Sequence, residues 1–284
     1  MNRKAIIVTG AFGYIGSSIL DALINRNINS LFIGVVKDSN DSRKILYSQL
    51  INFVTPRELI NIDFSDIVSV DLVHCANSVS LEDNMAKAVK NNFIFWHDVF
   101  LELSSKLSCL RIHLIESYWQ YNPDKSYRYR EPYDMSKSLL SESITSEGKR
   151  FAQIKKYVLY DVYSRHDPRG KLLNILANGY SGVLDLKSAC NMKTFVKWTE
   201  CLDILSDLIE NPDYYNTDKY YFTHGNPRPL VEIVSKIINY YRLPIKLSGT
   251  TSINRNEPVE IVTVENNPLK FSDNILEDFI NLKW

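Results

Sequence analysis

The sequence predicts an α/β protein with a doubly wound, mostly parallel sheet and a smaller C-terminal lobe. Strand-like and helix-like segments alternate through the first half, a glycine-rich turn joins the first strand to the first helix, and the alternation weakens after about residue 165. Strands that alternate with helices imply right-handed crossovers and a parallel sheet. We therefore expect a sheet domain over residues 1–164 and a smaller lobe over residues 165–284.

Hydrophobic periodicity places the individual elements. It predicts strands at residues 5–9, 31–36, 71–76, 111–115 and 156–162, and helices at residues 15–25, 81–107, 134–147, 171–178, 199–210 and 230–241. The helix at 81–107 is apolar over more than one stripe, with Phe95, Trp96 and Phe100, and such a helix is expected to be covered on two sides. The segment 194–212 is expected to pack back on the sheet domain.

Composition excludes several classes of protein. The 284 residues are 45% hydrophobic, enough for a large core. Lys+Arg and Asp+Glu are both 33, so the chain lacks the basic excess of a nucleic-acid-binding protein. No apolar stretch reaches the length of about 18 residues that crosses a membrane, and the first apolar run is too short for a signal peptide. The four cysteines form no CxxC, which predicts a cytoplasmic protein with buried thiols and no metal.

A glycine turn follows the first predicted strand. The run Thr9-Gly10-Ala11-Phe12-Gly13-Tyr14-Ile15-Gly16 has the spacing TGxxGxxG. The first glycine permits a tight turn, the second lets a pyrophosphate approach the backbone, and the third lets helix and strand pack closely. The helix N-terminus also offers free N–H groups to phosphate. This pattern predicts a Rossmann dinucleotide site formed by Gly10, Phe12, Gly13, Tyr14, Ile15 and Gly16; the alternative is a structural turn in a flavodoxin-like sheet.

A Tyr-x-x-x-Lys pair is the candidate catalytic group. The spacing occurs at Tyr121, Tyr133 and Tyr215, but Pro123 opposes a helix in the first case and the third reads as a turn. At Tyr133 the chain opens a helix, which places the tyrosine and Lys137 on one face. An ammonium lowers the phenol pKa from about 10, so the tyrosine can exchange a proton with a carbinol or carbonyl oxygen. The alternative is an exposed pair on a surface helix.

Two further positions point to the same chemistry. Ser117 follows the strand at 111–115, at the carboxyl end where open α/β sheets place their sites, and its hydroxyl can donate to an oxyanion. The alternative is a strand-end serine that caps a turn. After the second strand, where NAD enzymes usually carry a carboxylate, stand Lys37 and Asp38, with Arg43 nearby. A cation there suits a 2′-phosphate, so we predict NADP(H) as the preferred coenzyme, with NAD(H) possible.

These motifs together resemble the extended short-chain dehydrogenases, the NAD-dependent epimerase/dehydratase family. The run His74-Cys75-Ala76-Asn77-Ser78 resembles the HxA segment that lines the cofactor in that family, and Asn92 resembles the superfamily's helix asparagine. The resemblance implies that Ala76 and Asn92 help form the cofactor site. His74 itself is expected to pack or to hydrogen-bond. The resemblance also implies that Lys137 holds the nicotinamide ribose and that Ser117 polarises the substrate carbonyl.

Further segments resemble bacterial nucleotide-sugar enzymes related to CDP-abequose synthase. The run 117–121 resembles their T-x-W-Q stretch, the segment from residue 159 to 171 resembles D-T-Y-G-x-x-D-P-R-x-K, and residues 194–196 resemble D-F-V. Ser164, Thr194 and Lys197 depart from that pattern, where glycine, aspartate and histidine are usual. These departures concern the substrate pocket.

The resemblance implies NADPH-dependent reduction of a 4-keto nucleotide-diphosphosugar, in deoxysugar biosynthesis for a surface polysaccharide. An epimerase or dehydratase with bound NAD is the alternative, and a non-catalytic NAD(P)-sensing protein is an alternative of another class. A 4,6-dehydratase would require an Asp-Glu pair directly after Ser117, where Tyr118 and Trp119 stand. Extended members commonly dimerise through paired helices, so we expect a homodimer formed by the helix at 81–107 and the Tyr133 helix, with no nucleic-acid or membrane partner.

Overall fold

The structure, a computed structural model, describes residues 3–26, 29–38, 41–46, 50–77, 84–164, 167–169, 171–255, 257–264 and 267–279. The strands are β1 (Arg3–Thr9), β2 (Ser30–Val35), β3 (Ile51–Val54), β4 (Ile67–His74), β5 (Leu110–Ser117), β6 (Gln153–Leu159), β7 (Asp161–Tyr163), β8 (Gly182–Asp185), β9 (Met192–Lys193), β10 (Phe195–Lys197), β11 (Lys219–Phe222), β12 (Arg228–Pro229) and β13 (Ile245–Ser248). The helices are α1 (Tyr14–Asn25), α2 (Pro56–Leu59), α3 (Met85–Ala88), α4 (Phe95–Lys106), α5 (Pro132–Ser146), α6 (Leu172–Ala177), α7 (Trp198–Glu210), α8 (Leu230–Tyr241) and α9 (Ile275–Phe279).

Seven strands form the central sheet, in the order β11-β6-β5-β4-β1-β2-β3. The pairs from β3 to β5 are all parallel. The first six strands therefore follow the 3-2-1-4-5-6 order of a doubly wound Rossmann sheet. This topology confirms the predicted fold class.

The strand register aligns the carboxyl ends of four neighbouring strands. Thr9, the last residue of β1, lies opposite Val35 of β2 and opposite His74 of β4, and His74 lies opposite Leu114 of β5. Segments that leave these strands therefore begin at one edge of the sheet. In open α/β sheets this edge is where ligands bind.

The chain divides into two compact units. Unit 1 contains Met1–Glu116, Tyr129–Tyr157 and Leu202–Lys219, and unit 2 contains Ser117–Arg128, Val158–Cys201 and Tyr220–Trp284. This division differs from a single boundary between residues 164 and 165, because unit 2 is assembled from three segments that begin at or next to the ends of strands. Most of α7, from Leu202 onward, belongs to unit 1, where Arg26 pairs with Asp203, Asp207 and Glu210.

In unit 1 an apolar layer separates one sheet face from helices. Side chains of the strands, such as Ile7, Leu72 and Ile112, form one buried cluster with Phe100 of α4 and Ile144 of α5. A charged cluster lies apart from this apolar cluster. Asp71 of β4 is fully buried and binds Lys4, Arg111 and His113 on the neighbouring strands. Because a buried carboxylate is tolerated only when paired, this cluster fixes the pairing of β1, β4 and β5.

Unit 2 is built around its own apolar clusters. Leucine and isoleucine side chains of α6 and α8 pack with Phe279 of α9. Tyr118, Tyr160 and Tyr221 form a second cluster with Ile261 and Val262. Short strands complete the unit, in the parallel pairs β7–β10 and β8–β13 and the antiparallel pair β9–β12.

Several predicted elements differ in extent from the observed ones. The helix at 81–107 begins at Met85 in the described residues, and a π-helical segment, Val89–Ile94, interrupts it; residues 81–83 lie outside the described residues. The strand predicted at 71–76 is β4, which begins at Ile67. The strand at 156–162 is two strands, β6 and β7, divided at Tyr160, because the chain leaves the central sheet there and pairs with β10.

The cysteines and helices bear on the remaining expectations. The four thiols are free, but only Cys201 is buried, and Cys75, Cys109 and Cys190 are partly exposed, so the expectation of buried thiols holds for one of the four. Their partial exposure arises because Cys75 and Cys109 lie beside strand ends and Cys190 lies in a loop. None of the described helices combines the length and apolar character needed to cross a membrane.

Candidate functional site

The glycine turn forms the tight junction between β1 and α1. Gly10 has φ of +67°, in the region that favours glycine, and a Cβ there would lie 2.9 Å from the Cα of Ala76. A Cβ on Gly16 would overlap the carbonyl of Gly10. The Gly13 N–H donates to the Gly10 carbonyl over 2.8 Å. Gly10 and Gly16 are therefore required by close backbone approach, which is the geometry that a pyrophosphate site uses.

The first turn of α1 is open to an anion. Gly13 is the N-cap residue and no side chain caps the helix, while the first turn carries no acidic residue. Tyr14 and Ile15 lie half-buried at this turn. A 12-residue helix presents a positive dipole end and backbone donors at such a terminus. The residues present thus fit a dinucleotide phosphate.

Thr9 joins the turn to the HxA segment, a role that the sequence interpretation missed. Its Oγ1 accepts hydrogen bonds from the N–H groups of Cys75 and Ala76, both over 3.1 Å, and it bonds His74 Nδ1 over 2.9 Å. The threonine of TGxxGxxG was the available signal. Ala76 is thereby held against Gly10, while Ser78 lies outside the described residues.

His74 is a packing residue, as expected. Its ring lies edge-on to Trp96 and Phe100, with centroids 5.0 and 5.2 Å away. Burial, followed by the charge of Lys137, holds the pKa of His74 well below its usual value, so the imidazole is neutral. Within the described residues its Nε2 has no hydrogen-bond partner.

Asn92 lies in the π-helical segment and reaches α5. Its Nδ2 donates to Ser136 Oγ over 3.2 Å, and both side chains are buried. π-helical segments occur frequently at functional sites. The structure therefore brings Asn92 next to the helix that carries the Tyr-x-x-x-Lys pair.

The Tyr133–Lys137 pair lies in the first turns of α5. The helix begins with Pro132, and Asp134 accepts hydrogen bonds from the N–H groups of Arg130 (3.1 Å) and Glu131 (2.8 Å), which holds its start in place. The Lys137 Nζ lies 5.8 Å from the centroid of the Tyr133 ring. The expected one-face arrangement is present.

Lys137 is buried, and its pKa is shifted from the usual value of a lysine. Its Nζ donates to the carbonyl of Ile115 over 2.8 Å. Burial lowers the pKa of Lys137 to about 8, against the opposing effects of Glu116 and, less, of Cys75. A buried lysine whose pKa is shifted from its usual value is often part of a functional site.

Ser117 ends β5 and belongs to unit 2. Its Oγ accepts from the Trp119 N–H over 3.3 Å, and its N–H donates to Gln120 Oε1 over 2.8 Å, so it caps the 3₁₀ turn Tyr118–Gln120. This is the turn-capping alternative. Because the cap uses Ser117 Oγ as an acceptor, the hydroxyl proton can still be donated elsewhere.

The residues after β2 present cations near the glycine turn. Lys37 and Asp38 are exposed. The Arg43 guanidinium lies 4.7 Å over the ring of Phe12, and Phe12 in turn packs on Phe53 of β3. Arg43 also binds Asp41 through two nitrogens, which lowers the pKa of that carboxyl to about 2. The sequence did not predict the stacking of Arg43 on Phe12, because the two residues are far apart in the chain and no local spacing brings them together.

In unit 2, Lys193 lies at the centre of a polar cluster that includes Tyr118 of the 3₁₀ turn. It donates to Tyr118 Oη over 2.8 Å and to Glu257 over 2.9 Å, and Tyr118 donates to Asp161 over 2.8 Å. Burial acts to lower the pKa of Lys193, but Asp161, Tyr118 and Glu257 outweigh it and raise that pKa.

A cavity of about 160 Å³ adjoins this cluster. Its polar lining includes Asp161, Lys171, Ser188, Lys193 and Glu257. A second pocket of the unit is lined by Lys193, His224, Arg228, Lys236 and Asp273.

The residues at the three positions that depart from the nucleotide-sugar pattern make contacts within unit 2. Lys197 pairs with Asp278 over 2.8 Å. Thr194 is buried and bonds Thr223 over 3.1 Å. Ser164 accepts a hydrogen bond from Asn174 of α6 at its carbonyl.

The sheet order and glycine turn define a dinucleotide-binding protein of the Rossmann class. Residues 6–191 match the profile of the NAD dependent epimerase/dehydratase family, so the chain belongs to that family. No curated protein sequence matches the chain significantly.

Solved structures share the fold along nearly the whole chain. The Bordetella bronchiseptica enzyme WbmH in complex with NAD+ is 16% identical, with a TM-score of 0.71, and the match covers 99% of this chain and 97% of that one. A dTDP-glucose 4,6-dehydratase from Bacillus anthracis, in complex with NAD, is 13% identical, with a TM-score of 0.74 and coverage of 98% and 95%. A UDP-N-acetylglucosamine 4-epimerase from Methanobrevibacter ruminantium, in complex with UDP-N-acetylmuramic acid, is 17% identical, with a TM-score of 0.71 and coverage of 99% and 97%.

Proposed function

We propose that the chain is an NADPH-dependent enzyme that reduces a 4-keto nucleotide-diphosphosugar. The observation that carries the proposal is the pairing of Lys137 with Tyr133 on one face of α5, 5.8 Å from Nζ to the ring centroid. A buried ammonium beside a phenol is the arrangement that lets tyrosine exchange a proton at neutral pH. A protein that only senses the coenzyme does not need this pair.

The coenzyme would lie on the glycine turn. Gly10, Gly13, Gly16 and the first turn of α1 would hold its phosphates, with Phe12, Tyr14 and Ile15 beside them. Ala76 and Asn92 would complete the site toward the nicotinamide. When bound, the nicotinamide gives hydride to, or takes it from, a substrate carbon.

Three residues would handle the substrate oxygen. Tyr133 would supply the proton as the carbonyl is reduced, and Lys137 would stabilise the phenolate and bind the nicotinamide ribose. Ser117 would donate a hydrogen bond to the same oxygen, with the proton that its turn cap leaves available.

The coenzyme preference rests on the cations after β2. Lys37 and Arg43 suit a 2′-phosphate, and the Arg43 guanidinium is held over the Phe12 ring of the glycine turn. Asp38 and Asp41 oppose this preference by their charge. We therefore propose NADP(H) as the preferred coenzyme, with NAD(H) as the weaker one.

The substrate would bind in unit 2. Its cavity and pocket combine Lys171, Lys193 and Arg228 with hydrogen-bonding groups, a lining that suits a diphosphate and a sugar. The segments that resemble enzymes related to CDP-abequose synthase also lie in this unit. This resemblance supports a role in deoxysugar biosynthesis for a surface polysaccharide.

The second candidate is a sugar epimerase that retains NAD. The likeness in fold to an NAD-bound enzyme and to a nucleotide-sugar 4-epimerase favours it. A 4,6-dehydratase is less well supported, because Tyr118 and Trp119 follow Ser117 and neither can supply a carboxylate pair.

Turnover with and without added coenzyme tests the choice. The purified protein is mixed with a panel of 4-keto nucleotide sugars, and NADPH oxidation is followed by absorbance. Stoichiometric oxidation supports the reductase. If no ketone is reduced while a nucleotide hexose is epimerised or dehydrated without added coenzyme, the reductase proposal is wrong. If neither reaction occurs but coenzyme binds, the sensing alternative is supported.

Two expectations about the whole protein remain proposals. Ile94 and Phe95, at the junction of the π-helical segment and α4, are 47% and 45% exposed. We propose that a second copy of the chain covers them in a homodimer, together with α5. The cytoplasmic location stays a prediction from the sequence.

A further inference from the structure

Two consecutive residues of β5 accept hydrogen bonds from two residues that lie one turn apart on α5. The Lys137 Nζ donates to the carbonyl of Ile115 over 2.8 Å, and the Ser141 Oγ donates to the carboxylate of Glu116. Because residues four apart lie on one helix face, Lys137 and Ser141 approach the strand side by side. All four residues belong to unit 1.

The carboxylate of Glu116 interrupts an otherwise apolar face of β5. Ile112 and Leu114, the alternate residues on the same face of β5, belong to the apolar cluster that includes Leu140 and Ile144 of α5. Glu116 is 3% exposed and Lys137 is 8% exposed. Glutamate and lysine are almost never buried unless they are paired, so their joint burial needs an explanation.

We propose that Glu116 is the counter-ion of Lys137, a positioning residue that holds the lysine as an ammonium at the end of β5, with Ser141 orienting the carboxylate. The meaning of this role for catalysis rests on the proposed function. The charge interaction itself does not, because it depends only on the packing of α5 against β5 within unit 1.

The groups that face Lys137 leave Glu116 as its source of negative charge. Cys75 is partly exposed as a residue, but the protein around its thiol raises the pKa of that group to about 12, so the thiol is uncharged at neutral pH. His74 is also neutral, because burial and then Lys137 lower its pKa. Tyr133 presents its ring. In the part of the chain that is described, Glu116 is therefore the carboxylate that opposes the effect of burial on Lys137.

Loss of that charge has a definite consequence. Burial already lowers the pKa of Lys137 to about 8, and removing Glu116 would lower that pKa further. Near neutral pH most of the lysine would then be neutral. A neutral amine cannot lower the pKa of the Tyr133 phenol. Tyr133 would therefore lose the charge that activates it, although both Tyr133 and Lys137 would still be present.

The first test needs neither coenzyme nor substrate. The free energy of unfolding is measured between about pH 6 and 10 for the parent, Lys137→Met, and the same two chains carrying Glu116→Gln. In the unfolded chain lysine has a pKa of about 10.4, so the unfolded state binds more protons between that value and the folded one. The parent must therefore gain stability relative to Lys137→Met as pH rises above about 8.

Glu116→Gln should move the start of that gain to lower pH by about one unit or more, which is a tenfold or larger change in proton affinity. Glu142→Gln, the same substitution at an exposed position of α5, is the matched control and should leave the start unchanged. Ser141→Ala keeps the charge and should give a smaller shift in the same direction. If Glu116→Gln leaves the start where it is in the parent, the counter-ion proposal is overturned. Should Glu116→Gln not fold, Ser141→Ala and Glu116→Asp provide the same comparison.

The second test uses binding and turnover. The alkaline limb of NADPH affinity, measured by fluorescence, should shift to lower pH by about one unit in Glu116→Gln, and the alkaline limb of kcat should shift by the same amount. A purely structural role would lower stability without moving either limb. If the parent protein neither binds coenzyme nor turns over, the proposed function fails, and the stability measurement still decides the role of Glu116.

Discussion

In the proposed reaction, the phenol oxygen of Tyr133 transfers the proton to the substrate. Tyr133→Phe removes that oxygen and leaves the ring near Lys137, so coenzyme should bind as before while kcat falls by about 10² to 10⁴. Stopped-flow NADPH oxidation measures the turnover and fluorescence measures the binding. Tyr214→Phe, at a 71% exposed position, is the matched control and should keep full activity. Equal turnover in the two variants would remove Tyr133 from the mechanism.

Arg43 is the residue on which coenzyme choice should depend. Arg43→Ala removes the cation over Phe12, so the Kd for NADPH should rise about tenfold, or about 1.4 kcal/mol, while the Kd for NADH stays nearly constant. Titration of both coenzymes by fluorescence gives the ratio. Arg150→Ala, an exposed arginine paired with Glu147, is the control. Tighter binding of NADH than of NADPH by the parent would contradict the preference itself.

At the scale of elements, the junction of β1 and α1 depends on Gly16. A methyl group there would overlap the Gly10 carbonyl, so Gly16→Ala should destabilise the fold by about 1–3 kcal/mol and weaken coenzyme binding. Gly148→Ala is the control, since its Cβ would meet only Ile154 at 3.8 Å. That variant should be neutral or slightly stabilising. Urea denaturation compares them, and an equal loss in both would show that close packing is not the cause.

The pairing of β1, β4 and β5 depends on the buried carboxylate of Asp71. Asp71→Asn leaves Lys4 and Arg111 without their counter-charge and removes the carboxylate that binds His113, so it should lower the free energy of unfolding by about 3–5 kcal/mol. Asp66→Asn, at an exposed position, should change it by less than about 0.5 kcal/mol. Chemical denaturation at neutral pH is the measurement.

The same cluster predicts acid sensitivity. Burial raises the pKa of Asp71, but His113 and then Arg111 and Lys4 outweigh it and hold that pKa below its usual value. Burial lowers the pKa of His113. Both groups bind protons more readily in the unfolded chain, so stability should be full above about pH 6.5, fall as pH drops below that, and fall again below about 3.9. Asp71→Asn should flatten the lower step, and an unchanged step would assign it to other carboxylates.

At the scale of the whole molecule, the proposed homodimer can be disrupted at one residue. Ile94→Glu places a charge in the exposed apolar pair with Phe95, so sedimentation at micromolar concentration should show a monomer where the parent shows a dimer. Ile253→Glu, at an isoleucine that is 52% exposed in unit 2, is the matched control and should remain dimeric. A monomeric parent protein would refute the proposal.

Local rules were enough for much of the framework and for part of the site. The helix at 230–241 and the strand at 5–9 follow from periodicity, and the spacing TGxxGxxG required the turn that Gly10 and Gly16 form. The four-residue spacing of Tyr133 and Lys137 likewise placed both on one helix face. These features depend on residues near each other in the chain, so the sequence predicts them without knowledge of the fold.

Other features were beyond the sequence because they depend on distant partners. β3 and the short strands β8 to β10, β12 and β13 were missed, since two to four residues carry too little periodic signal until another strand pairs with them. The sequence did not predict a role for Glu116, because its burial and its hydrogen bond with Ser141 could be seen only when α5 was placed against β5.

The sequence by itself determined the alternation of the main strands and helices of the first half, the glycine turn and the Tyr133–Lys137 pair, because each is specified by short-range geometry. Only the tertiary structure decided that three chain segments make up unit 2, that Arg43 lies over Phe12, and that Lys137 is buried with its Nζ on the carbonyl of Ile115. The physical reason is that burial and charge pairing are set by what surrounds a group in space. Residues far apart in the chain supply those surroundings, and their approach is not encoded in any local spacing.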